Sequence, residues 1–84
     1  MRIIKMSGGS FRRGLLRDEN IEQQEIATYT GINNAKVSNE VRDIGTSNLK
    51  YRKAIYDCYS GRVLKPISYD DFWKTEYYLK EVKQ

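Results

Sequence analysis

Between residues 33 and 42 the chain reads Asn-Asn-Ala-Lys-Val-Ser-Asn-Glu-Val-Arg, whose polar members suit hydrogen-bond recognition better than bond-breaking chemistry. Asparagine can pair bidentately with adenine and arginine with guanine, and an alanine methyl can meet the methyl of thymine. At 100° per residue, Ala35, Ser38, Asn39 and Arg42 fall on one side of a helix. Lys36 borders that side, and Asn33 and Asn34 stand at the helix start. Val37, Val41 and Ile44 take the opposite, buried side. A helix needing only solubility would more often show Glu and Lys on its outer face.

Other chemistries lack their residues. There is no histidine and one cysteine, Cys58, so neither a zinc ligand set nor an intramolecular disulfide is available. Cys58 lies on an apolar stripe and reads as a small core residue. Asp70 and Asp71 adjoin, but a helix start, where the dipole favours anions, accounts for them better than acid–base catalysis. The segment Ser7-Gly8-Gly9-Ser10 lacks the lysine and spacing of a phosphate loop. We expect no enzyme, no metal and no cofactor.

Eighty-four residues allow one domain, 1–84, with a single modest core. No apolar run approaches a membrane span or a signal peptide, so the expectation is a cytoplasmic protein with no membrane partner. The net charge of +4 is unevenly spread. Residues 1–20 carry five basic and two acidic side chains, residues 21–45 two and four, and residues 46–66 five and one. Positive charge thus flanks the polar segment, a distribution compatible with a nucleic-acid partner.

The elements that must hold this segment can be placed in turn. Residues 1–9 read as an N-terminal arm, with a short strand or extended stretch at 2–6. A brief helix follows at about 10–18, capped by Ser10, with Phe11, Leu15 and Leu16 facing inward. A second helix should start near Asn20 and end at Thr30, where Gly31 supplies left-handed geometry. The third covers about 34–44 and the fourth about 48–60, burying Tyr51, Ala54, Ile55, Cys58 and Tyr59. Ser68 with Asp71 imitates a capping box, with Ile67 and Phe72 as its hydrophobic staple, and opens a last helix with a stripe of Phe72, Thr75, Leu79 and Val82. The expected fold is all-α: about five short helices, with residues 47–83 forming two supporting helices.

Residues 20–44 have the form of two helices crossing over a tight turn, with Ala27 small where the second passes over the first. The spacing of Gln23, Ala27, Gly31, Ile32 and Val37 resembles the helix-turn-helix of the lac-repressor and lambda-repressor-like families. Glu40 departs from the pattern, which is often apolar there, and leans toward the buried side of the wheel. The resemblance covers residues 23–44 and implies that the helix at 34–44 enters the DNA major groove. The base-reading candidates are then Asn33, Asn34, Ala35, Lys36, Ser38, Asn39 and Arg42.

Phosphate grips would come from Arg12, Arg13 and Arg17, from Lys50, Arg52 and Lys53, and from the neutral Gln23 and Gln24. Leu49, Tyr56, Trp73 and Tyr77 lie off the main stripes of their helices and suggest a second interface, for a homodimer or a protein partner. The expected function is a small sequence-specific regulator of phage or mobile-element type that binds double-stranded DNA, as repressor or activator. Two alternatives are a phage-type inhibitor that uses the same fold to bind a host protein, and an accessory DNA-binder such as an excisionase.

Overall fold

Ser7 has two tasks: it ends the first strand, and its hydroxyl accepts a hydrogen bond from the backbone N–H of Ser10, capping the first helix. The computed structural model describes the backbone of residues 2–81 and the side chains of residues 3–78. Its elements are β1 (Arg2–Ser7), α1 (Gly8–Asp18), α2 (Gln23–Thr30), α3 (Asn34–Val41), α4 (Leu49–Arg62), α5 (Tyr69–Phe72) and β2 (Glu76–Glu81). The fold is mostly helical, with a small two-stranded antiparallel sheet. Of the two readings of residues 2–6, short strand or extended arm, the strand is present as β1. The cap of α1 is Ser7 rather than Ser10, so that helix starts earlier.

Two glycines make room for the early start. Gly8 and Gly9 are both buried, and a Cβ on Gly9 would stand 2.8 Å from the carbonyl oxygen of Arg42. Only glycine lets the first turn of α1 lie this close to the end of α3.

Gly31 ends α2 in the left-handed region, at φ 72°, and its N–H bonds the carbonyl of Ala27. Asn33 then caps α3, its side-chain oxygen accepting from the N–H of Ala35 at 2.7 Å. Ile26, Ala27, Val37 and Val41 pack with Ile55, Cys58 and Tyr59 of α4 in one core. The second helix begins at Gln23, three residues later than expected. Asn20 sits in the preceding turn with positive φ, so it cannot open the helix. The third ends at Val41, and the loss of helical phase leaves Ile44 46% exposed rather than buried.

α4 starts after Asn48, whose side chain accepts from the N–H of Tyr51, and runs through Gly61 to Arg62. The last expected helix is the main correction. Ser68 does cap it, accepting from the N–H of Asp71, yet helix α5 lasts one turn. Glu76-Tyr77-Tyr78 then enter β2, which pairs with β1 in the register Arg2↔Glu81 to Ser7↔Glu76. Aromatic side chains suit a pleated surface, and β1 offers a ladder that sequence-local patterning cannot reveal. Residues 82 and 83 of the expected helix lie outside the described residues. The all-α expectation therefore gives way to helices plus a terminal ribbon.

Trp73 and Tyr77, expected at a surface interface, are 7% and 9% exposed. The Tyr77 ring stacks on Phe11 with centroids 3.7 Å apart, and its hydroxyl donates to the carbonyl of Phe72 at 2.9 Å. Tyr56 is likewise half-buried; its ring meets Tyr69 and Phe72 edge-on and its hydroxyl donates to the carbonyl of Ile67. Of the four candidates for a second interface, only Leu49 stands clear, at 71% exposure.

Candidate functional site

Val37 and Val41 turn one side of α3 into the core, so the other side is obliged to face solvent. Ala35, Asn39 and Arg42 are exposed and Ser38 is half-buried. Their side chains have no protein hydrogen-bond partner among the described residues. The remaining candidates are exposed but already engaged. Asn33 spends its oxygen on capping. The amide of Asn34 donates to Gln24 Oε1 at 2.7 Å, and Gln23 donates to the carbonyl of Asn34 at 3.1 Å. Lys36 Nζ reaches the Tyr51 hydroxyl at 3.4 Å and lies 5.8 Å from that ring's centroid. The two glutamines thus brace the start of α3, and Tyr51 is a neighbour that only tertiary packing brings there.

Beside this face runs an open groove between α1, the start of α2 and α3. Arg13, Arg17 and Arg42 line it, with Leu16, Ile21 and Val37 contributing apolar surface. All three arginines are exposed, and among the described residues none forms an ion pair. Asn20, Glu22 and Gln23 complete the wall near the start of α2. Glu22 precedes that helix without a side-chain capping bond. Lys50 and Lys53 are exposed on α4, also unpaired among the described residues.

Two expected phosphate contacts are overturned. Arg12 is fully buried: Nε donates to the carbonyl of Val41, Nη1 to those of Phe72 and Lys74, and Nη2 faces the Asp43 carboxylate. A helix period of 3.6 turns residue 12 inward while leaving 13 and 17 outside. Arg52 is held by Glu40 and Asp43, each at 3.1 Å. The two guanidiniums flank the Trp73 ring, 4.8 and 4.7 Å from its centroid.

The same network disposes of the acidic side chains near α3. Glu40, 6% exposed, also accepts from the N–H of Asn48 at 2.6 Å, which explains a carboxylate at an apolar position. Glu25 is paired with Arg62, whose hydrogen bond holds its carboxyl below the usual range. Three of the four acidic residues between 21 and 45 are therefore neutralised within the chain, and Glu22 remains. Burial pushes the Cys58 thiol above its ordinary value and leaves it a packing group.

Among the described residues there is no cluster of potential metal ligands and no helix long and apolar enough to cross a membrane. The chain matches no known family model, no curated protein and no solved structure.

Proposed function

We propose that this protein is a small sequence-specific DNA-binding regulator in which α2 and α3 act as a helix-turn-helix. The observation that carries the reading is the outer face of α3. It presents Ala35, Ser38, Asn39 and Arg42 without side-chain partners among the described residues, beside a groove lined by Arg13 and Arg17. In this reading α3 enters the major groove, Asn39 and Arg42 read base edges, and the small side chains of Ala35 and Ser38 permit close approach. Arg13 and Arg17, with Lys50 and Lys53 on the other flank, grip phosphates and supply most of the affinity. Glu25, Glu40 and Asp43 do not oppose the duplex, because each is paired with an arginine of the fold.

The protein-binding alternative has less support, because two of the aromatic residues that suggested an interface, Trp73 and Tyr77, pack inward. The test is selection of bound fragments from random duplex DNA, followed by gel shifts at rising salt. The regulator yields a short shared sequence whose preference survives as total affinity falls. Uniform binding, or none at low salt, would discard the proposal.

A further inference from the structure

The ribbon of β1 and β2 is two strands wide, and among the described residues neither strand pairs with any other. Two strands alone are marginal in water, and an open edge is a template for further pairing. The groups on that edge follow from the register. Residues opposite each other sum to 83, and the N–H of Gly8 bonds the carbonyl of Thr75 at 2.7 Å, extending the same ladder by one step. Hydrogen-bonded pairs alternate along an antiparallel ladder, so residues 77 and 79 bond toward β1. The N–H and C=O of residues 76, 78 and 80 then point away, along the free edge of β2.

We propose that β2 pairs antiparallel with β2 of a second copy about a two-fold axis through Tyr78, forming a four-stranded sheet. The sequence of β2 is self-complementary in that register alone. Tyr78 meets its own copy, Tyr77 falls opposite Leu79, and Glu76 falls opposite Lys80 on both sides of the axis. The outward-pointing backbone groups of 76, 78 and 80 also meet as hydrogen-bonded pairs. Shifting the axis to Tyr77 or Leu79 removes the Glu–Lys match. The edge of β1 offers no equivalent: an axis through Lys5 sets lysine against lysine, and one through Ile4 sets Lys5 against Ile3.

Tyr78, 66% exposed, would be covered on one side of the joined sheet. On the other side, the layer in which Tyr77 stacks on Phe11 would continue across the axis. Five residues per strand is a small contact, so the association should be concentration-dependent, with a Kd of about micromolar or weaker. The inference stands apart from DNA binding and is tested without DNA.

The experiment is sedimentation equilibrium of the full chain over a wide concentration range, with circular dichroism as a check on folding. The wild type should show a monomer–dimer equilibrium. Tyr78→Pro removes an edge N–H without touching the ladder to β1 and should leave a monomer. Glu76→Lys and Lys80→Glu should each weaken the dimer roughly tenfold or more, by opposing like charges at two symmetric places. Because Glu76 also pairs with Lys5 of its own ribbon, at 3.1 Å, the swap is made in a Lys5→Ala background, where the double variant should restore the dimer that either charge reversal loses, a result that misfolding cannot produce. A wild type that stays monomeric throughout, or a dimer unmoved by all these changes, would overturn the proposal.

Discussion

Arg12 of α1 and Asp43, just beyond α3, form an ion pair in which the arginine has no exposure to solvent. The guanidinium also serves carbonyls at the end of α3 and in the turn before β2, so one side chain fixes three parts of the chain. Arg12→Met should cost about 3 kcal/mol, because the carbonyls and Asp43 lose their partner together. Urea unfolding measures this; a loss under 1 kcal/mol would mean the network relaxes without harm.

Arg13 and Arg17 lie on the same helix as Arg12 with the opposite exposure. On the DNA-binding reading, replacing either by glutamine should lower affinity for all sequences and reduce the salt slope by about 1. Stability should change little. Gel shifts at several salt concentrations supply the slope, and unaltered slopes would remove these residues from the contact surface.

Asn39→Ala should cost roughly 1–3 kcal/mol of discrimination, confined to one base pair of the selected site. Binding to unrelated duplexes should be unaffected. A uniform loss across sequences would reassign Asn39 to a backbone role.

Two glycines of α1 make a stability contrast. A Cβ at Gly14 meets nothing within 4 Å, so Gly14→Ala should stabilise by about 0.5–1 kcal/mol through helix propensity. A Cβ at Gly8 would stand 2.0 Å from the carbonyl oxygen of Lys74, so Gly8→Ala should destabilise strongly. Thermal melts of the two variants should move in opposite directions.

Acid should weaken the fold. Hydrogen bonds from Arg62, Lys74 and Lys5 hold the carboxyls of Glu25, Asp71 and Glu76 below their usual range. A lowered folded pKa gives stability that is complete above the unfolded value and lost as pH falls through the folded one. Tm should therefore hold near neutrality and decline below about pH 4. Arg62→Ala should lower neutral Tm modestly and make the decline shallower. A profile identical to wild type would show that the Glu25 pair adds nothing.

Much of the helical framework was legible because its signals are local. Gly31 and the periodicity of Val37, Val41, Ile55, Cys58 and Tyr59 act within a few residues of themselves. The end of the chain was not legible for the same reason. The capping pattern at Ser68 is genuine, but it starts only one turn, and the stripe beyond it competes with a strand whose partner lies some seventy residues away. The site divides similarly. Helical phase found the exposed side of α3, whereas the burial of Arg12 and the capture of Arg52 by Glu40 and Asp43 depend on contacts between elements. Isolated basic residues read alike from sequence, and only packing separates a free cation from a cross-link.

The pairing of β1 with β2 also sets an order of events. All five helices lie inside the loop that this ladder closes, so closing it in an otherwise unfolded chain would cost more entropy than nearby contacts do. Helical packing shortens that search by carrying the two strands toward each other. The ribbon should thus be the last part to form and the first to open, and its amides should exchange with deuterium ahead of those at Ile55 and Tyr59.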